Sequence, residues 1–484
     1  MMEPESGILK GDVNMNVLYA VSEAVPFVKT GGLADVAGSL PKALRAEGVD
    51  ARVILPLYSS IGEKWRLKMN FCFYTFINLA WRRQYCGVFK LEYYGVIWYF
   101  VDNEYYFKRD NIYGCYDDGE RFAFFSKAVI DILPLLDWKP DVINCNDWQT
   151  ALIPLYISQD RSGYFNGIKT VYTIHNIEYQ GRFGKECLTD IFGLSDSLYL
   201  DGILRYENDL NLMKGAIYKA DHITTVSPSY ASELRDPFFA SGLHRVIEDN
   251  VYKLTGILNG LDTERYDPMT DSYLATNYGP DDPDGKADCK SELCRELGLE
   301  ESDTPIIGCI SRLVGHKGFD LVEAALDRII SRGVRFVILG TGDEKFESFF
   351  IDAENRYKGK VSANIMYSEK RASLVYAGAD MMLIPSKSEP CGLTQMIAMR
   401  YGSVPIVREV GGLKDSVRPY PNEDSTGFTF LWYSADDMVQ AVDFAIDTWY
   451  EKDKWRELMA RDMVEYLSWS RSAKEYIKIY ESLI

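Results

Sequence analysis

An apolar run at residues 17–21 leads into the loop segment Lys29-Thr30-Gly31-Gly32. From residue 33 to 46 apolar residues return at helical spacing until Gly48, and a second apolar run follows at 51–55. Strand, glycine-rich turn, helix and strand in that order commit the chain to a parallel pair, because two parallel strands need a crossover between them. The order recurs. Residues 141–144, 170–174 and 221–226 read as strands ending at Asn146-Asp147-Trp148, His175-Asn176 and Ser227-Pro228, with a helix predicted over 121–136 and a hairpin over 89–94 and 97–101. The pattern restarts near 253–259, and a Gly/Pro/Asp-rich loop is predicted over 278–288. Strands are then predicted at 306–310, 335–339, 381–385 and 404–407, with a helix from Phe319. The pentapeptide Gly31-Gly32-Leu33-Ala34-Asp35 has an echo in Gly411-Gly412-Leu413-Lys414-Asp415, again between a strand and a helix. The expectation is an α/β chain of two doubly wound domains, with functional residues at the carboxyl ends of the strands. The first domain is predicted over 1–250 and the second over 251–469. A helical stretch over 455–484 is interrupted near Trp469, and its last part, 470–484, is predicted to pack back on the first domain.

A length of 484 residues suits two or three domains, and a 47% hydrophobic fraction is ample for their cores. A net charge of −18 opposes polyanions overall, so nucleic acid is not an expected partner, whereas a neutral polymer meets no such repulsion. Nine cysteines without a C-x-x-C pair read as reduced thiols, and with only four histidines no metal site is expected. The first 16 residues are acidic and polar with no apolar core of a secretory leader, and no apolar run is long enough to span a bilayer. A cytoplasmic location is the expectation.

Three clusters carry chemistry. In Lys29-Thr30-Gly31-Gly32, glycines allow close approach of backbone N–H groups to an anion, the following helix adds its positive end, and Lys29 adds a full charge. A plain strand–helix turn with a surface lysine fits the same spacing, and no P-loop motif is present. Arg312 and Lys317, after a predicted strand, can clamp a diphosphate, although two solvated charges satisfy the spacing equally. In Ser388-Glu389-Pro390-Cys391-Gly392-Leu393-Thr394, the proline holds Glu389 in an extended loop where it can accept hydrogen bonds from sugar hydroxyls or cap the next helix. Cys391 reads as a small buried thiol.

Together with Tyr172-Thr173-Ile174-His175-Asn176, Thr225-Val226-Ser227-Pro228, Ile257-Leu258-Asn259-Gly260-Leu261-Asp262 and the continuation of the first cluster through Val36, these stretches resemble, in order, the bacterial glycogen synthase and plant starch synthase family. The resemblance runs from about residue 16 to 484. It implies a GT-B fold, two Rossmann-like domains facing across a cleft. The first is the acceptor side and the second the donor side. It also implies a retaining glucosyltransferase using ADP-glucose (UDP-glucose being possible) as donor substrate, an α-1,4-glucan (glycogen or starch) as acceptor, and no cofactor. By the same resemblance Lys29, His175, Arg312, Lys317 and Glu389 are the catalytic residues. Gly31, Gly32, Tyr367, Cys391, Gly392, Gly411, Gly412 and Leu413 bind the donor, with Tyr367 stacking on the base. Asp35, Asp147 and Asn176 bind the acceptor.

This chain departs from the family pattern at three places. Asn144 and Asn146 stand where many members have histidines before the Asp-Trp pair, Gly315-His316 precedes Lys317, and Ile397 stands where related families have a second glutamate. The alternatives are another GT-B glycosyltransferase, or an inactive glucan-binding scaffold. A pyridoxal-dependent phosphorylase would be longer.

Overall fold

The computed structural model describes residues 15–484; the polar stretch before Met15, read above for a leader, lies outside the described residues. The chain divides into two units. The first takes the chain through Val226, Ala231–Gly260 and Trp469–Ile484. The second takes Ser227–Tyr230 and Leu261–Ser468.

The strands of the first unit are β1 (Asn16–Ala20), β2 (Asp50–Pro56), β3 (Asn70–Leu79), β4 (Arg82–Tyr93), β5 (Val96–Asp102), β6 (Val142–Asn146), β7 (Lys169–Ile174), the short β8 (Arg182–Phe183), β9 (Arg205–Tyr206) and β10 (Asp209–Asn211), then β11 (His222–Thr225) and β12 (Leu254–Gly256). Nine of them form one sheet in the order β12-β11-β7-β6-β1-β2-β5-β4-β3, and β8, β10 and β9 form a separate small sheet. From β12 to β5 all pairings are parallel; β4 and β3 add an antiparallel edge. Val17 to Ala20 of β1 are completely buried, as a strand covered on both faces requires. The helix Gly32–Ala46 turns Leu33, Val36, Ala37, Leu40 and Leu44 inward at three- and four-residue spacing. Its Gly38 lies against Val25, where a Cβ would come within 2.8 Å of the Val25 carbonyl oxygen.

In the second unit β13 (Ile306–Ile310), β14 (Arg335–Leu339), β15 (Val361–Asn364), β16 (Met381–Ile384), β17 (Val404–Arg408) and β18 (Phe428–Phe430) form an all-parallel sheet in the order β15-β14-β13-β16-β17-β18. Strand order reverses between β13 and β16. The first sheet reverses in the same way between β1 and β6. These two switch points are where a doubly wound sheet leaves a crevice beyond its strand ends.

Two sequence expectations change. The first unit runs to Gly260 rather than to residue 250, because β12 pairs with β11 of the first sheet. The stretch 278–288 is not all loop: the helix Gly285–Leu297 begins inside it, behind the turn-like Pro283-Asp284. The C-terminal stretch is two helices, Lys452–Met463 and Trp469–Leu483. The second buries Trp469, Ala473, Tyr476 and Tyr480 in the first unit, where Tyr480 donates to Asn144 Oδ1 at 2.8 Å.

Candidate active site

In the first unit the candidate residues collect beyond β1, β6 and β7. The chain leaving β1 passes through Ser22 and Glu23, bridges Ala24 to Val28, and reaches the helix at Gly32. Lys29 Nζ sits 2.8 Å from Asp35 Oδ2, so the lysine expected at a phosphate and the aspartate expected at a sugar form one ion pair. The Gly31 N–H is also engaged: it donates to Glu23 Oε2 at 3.2 Å, and Thr30 donates to the same oxygen through its N–H and hydroxyl. The loop thus carries its own anion.

Asp147 follows β6 with a positive φ of 52°, a strained conformation outside glycine. Its Oδ1 accepts the His175 N–H at 2.8 Å and the Asn176 N–H at 3.4 Å, tying the end of β6 to the end of β7. Burial pushes its carboxyl up to about 7, against the opposing pull of those two amides. The His175 imidazole is pushed down to about 3 by burial, so it is neutral at physiological pH. Asn146 Nδ2 donates to the Ala20 and Asn144 carbonyls, which turns Oδ1 toward His175 Nε2 at 2.9 Å. Nε2 therefore carries the hydrogen and Nδ1 is the acceptor. The asparagine that replaces a family histidine here sets the tautomer of His175. Asn176 folds its side chain back onto the Glu178 N–H. Trp148 packs on Phe122 and Phe183 beneath this corner.

In the second unit the candidates gather beyond β13, β16 and β17. After β13, Gly315–Lys317 makes a single tight turn, and Gly318 follows at φ 80°. A Cβ on Gly318 would stand 2.0 Å from the Pro385 carbonyl oxygen, so only glycine lets this turn lie against the chain leaving β16. That approach brings Lys317 Nζ to 2.6 Å from Glu389 Oε2, which also accepts from Ser386 Oγ at 2.9 Å. Among the described residues no hydrogen bond falls on Glu389 Oε1. Arg312 is exposed, and its guanidinium has no partner among the described residues. Gly412 donates its N–H to the Glu389 carbonyl at 3.0 Å and lies so close to Cys391 that a Cβ would come within 2.1 Å of its carbonyl oxygen. Gln395 donates to the Cys391 and Gly392 carbonyls, fixing the loop from behind, and Cys391 and Leu413 are buried. Ser227 donates to the Pro390 carbonyl and Ser229 caps onto Asp415, both at 2.7 Å, which accounts for the Thr-Val-Ser-Pro stretch. Gly411 adopts φ 46°. Tyr367, beyond β15, is 76% exposed, as a ring open to stacking must be.

Sequence reasoning missed Glu23 and Ser386. Glu23 had a signal: it is a carboxylate set inside an otherwise apolar and small-residue stretch directly after a buried strand. One group of potential metal ligands exists among the described residues, Cys115, Asp117 and Asp118, and its carboxylates already pair with Arg109 and Arg121. No helix among the described residues is long and apolar enough to cross a membrane.

Comparison with known proteins bears on the fold and the family. A family model described as the starch synthase catalytic domain matches residues 16–249, and one described as glycosyl transferases group 1 matches residues 292–461. The chain is 45% identical over 476 residues to a glycogen synthase of Clostridium botulinum, covering 97% of this chain and 99% of that one. It is 46% identical over 475 residues to a glycogen synthase of Anoxybacillus flavithermus, covering 97% and 98%. The solved catalytic domain of starch synthase IV from Arabidopsis thaliana, bound to ADP and acarbose, superposes with a TM-score of 0.88 at 33% identity, over 97% of this chain and 99% of that one. A sucrose-phosphate synthase from Thermosynechococcus elongatus, at 15% identity and a TM-score of 0.60, shares the fold.

Proposed function

The chain belongs to the glycogen synthase and starch synthase family, a glycosyltransferase family with two Rossmann-like domains of the GT-B class, and from that membership we propose how its residues act. The enzyme transfers glucose to a glucan. In our reading the donor is ADP-glucose, the acceptor is the non-reducing 4-hydroxyl of an α-1,4-glucan, and the anomeric configuration is retained. The first unit takes the glucan and the second the nucleotide sugar. The observation that carries the donor assignment is the cluster at the β13/β16 switch point: an unpartnered Arg312 beside the Lys317–Glu389 pair.

Breaking the glucosyl–phosphate bond leaves negative charge on the diphosphate. Arg312 and Lys317 meet that charge as it develops, which is where an electrostatic group lowers a barrier. Glu389 holds the donor glucose through Oε1 while Lys317 and Ser386 fix Oε2. Tyr367 stacks on the base, and the Cys391-Gly392 and Gly411-Gly412-Leu413 backbones line the diphosphate. With cationic side chains supplying the charge, the reading calls for no cofactor beyond the donor substrate. In the first unit Lys29, Asp35, His175 and Asn176 face sugar, with His175 accepting a hydroxyl hydrogen at Nδ1, and Asp147 serves them by holding the ends of β6 and β7. We take retention to follow from attack on the same face, with the leaving phosphate oxygen accepting the proton of the acceptor hydroxyl. Net charge −18 sets nucleic acid aside as a partner, and the reading places the enzyme in the cytoplasm.

Nucleotide release from ADP-glucose and UDP-glucose, each with and without glycogen, tests the assignment. The expected result is glycogen-dependent ADP release that Lys317→Ala lowers by about 10²–10³-fold. Faster release from UDP-glucose overturns the donor assignment, and release that ignores glycogen overturns the acceptor.

A further inference from the structure

The stretch between β1 and the helix Gly32–Ala46 is held at two ends. At its start Val25 donates to the Ala34 carbonyl at 3.0 Å and presses on Gly38. At its far end Thr30 gives its N–H and hydroxyl, and Gly31 its N–H, to Oε2 of Glu23, which lies near the start of the stretch and is 3% exposed. Nothing else among the described residues accepts these three donors. Lys29, immediately before them, is the residue that reaches Asp35. The backbone that launches Lys29 is therefore shaped on the Glu23 carboxylate.

We propose that Glu23 is a positioning residue of the transferase: its carboxylate is a built-in anion that shapes residues 29–32 and so places the Lys29–Asp35 pair. This rests on the functional reading above. The physical case is one of shape. Removing Glu23 takes from the exposed Thr30 and the half-buried Gly31 the one acceptor that ties their N–H groups and the Thr30 hydroxyl back to the buried start of the stretch, and water can satisfy those donors without holding that shape. The loop then rearranges to find water, and Lys29 moves with it. Its ammonium needs placement to within a fraction of an ångström to act on a substrate. Glutamine keeps the length and an acceptor oxygen, so it can still receive the two amides. Alanine keeps neither.

The test has an exchange arm and a kinetic arm. Hydrogen–deuterium exchange of the peptide covering residues 24–36 is expected to speed up in Glu23→Ala and to stay near wild type in Glu23→Gln. In glucan-dependent transfer, Glu23→Ala is expected to lower kcat by about 10–100-fold, and Glu23→Gln to recover most of that loss. Lys29→Ala is expected to cost markedly less in the Glu23→Ala background than in wild type, since both act through one placement. A purely structural role leaves the two costs additive and ties the loss of kcat to lowered thermal stability, and that result overturns the proposal. Unchanged exchange in Glu23→Ala overturns it as well. Absence of transfer by the wild-type enzyme contradicts the functional reading instead, while the exchange arm still decides the role of Glu23.

Discussion

Gly412 has no room for a side chain: a Cβ there would meet the Cys391 oxygen, Cα and carbonyl carbon at 2.1–2.6 Å, all backbone atoms that cannot swing aside. Gly412→Ala must push residues 389–391 outward and carry Glu389 away from Lys317. The expected outcome is a loss of about 1–3 kcal/mol in chemical denaturation together with a fall in nucleotide release. Asp147 gives a pH signature. Its folded carboxyl titrates near 7, above the ordinary aspartate value of 3.8, so the stability it contributes is present in acid and is lost as pH rises through 7. Asp147→Asn does not titrate. The melting temperature of the variant relative to wild type is therefore expected to rise between pH 5 and 8, and a flat difference contradicts the buried, raised carboxyl. At this scale the sequence was readable where a glycine announces a turn, as Gly318 does after Lys317. It was silent where a partner comes from elsewhere in the fold. Nothing in residues 22–31 shows that Glu23 will turn back on Thr30, and nothing in Asn146 shows that it will set the tautomer of His175.

Elements with a buried, apolar interior were legible, and those with an open face were not. β14 was read to the residue because five buried residues stand between glycine-containing turns. β3 was missed because Phe71, Tyr74 and Phe76 face solvent, which removes the polar alternation that marks a half-buried strand. β12 is three partly buried residues, too short to carry a period, and its assignment to the wrong sheet displaced the domain boundary. The helix Trp469–Leu483 belongs to the first unit through Tyr480 on Asn144, Ser472 on the Leu258 carbonyl, and Gly260, where a Cβ would meet Trp469 N at 2.5 Å. Each fully buried large apolar side chain contributes about 1.5–3 kcal/mol. Deleting residues 469–484 is therefore expected to lower the unfolding temperature of the first unit, followed by the exchange protection of β1 and β6. An unchanged protection pattern contradicts the docking.

At the scale of the whole molecule, both sheets reverse strand order at one position, and candidate residues follow the strands that flank the reversal, β1 and β6 in the first unit and β13 and β16 in the second, joined by those after the next strands β7 and β17 and by Tyr367 after β15. The repeated Gly-Gly-Leu-x-Asp follows a strand of each sheet and opens a helix in each. The same local solution, a glycine pair between a buried strand and a helix, is thus used twice for different ends. In one copy Gly31 is tied to an internal carboxylate; in the other Gly412 is pressed on the loop of Glu389. The central claim is transfer of glucose to the non-reducing end of an α-1,4-glucan with retained configuration. Its most direct test supplies ADP-glucose labelled in the sugar together with maltoheptaose and then treats the lengthened product with an exo-acting α-1,4-glucan hydrolase that releases maltose. The account predicts label in the maltose released first. Label appearing as free glucose, or in a product resistant to that hydrolase, contradicts it.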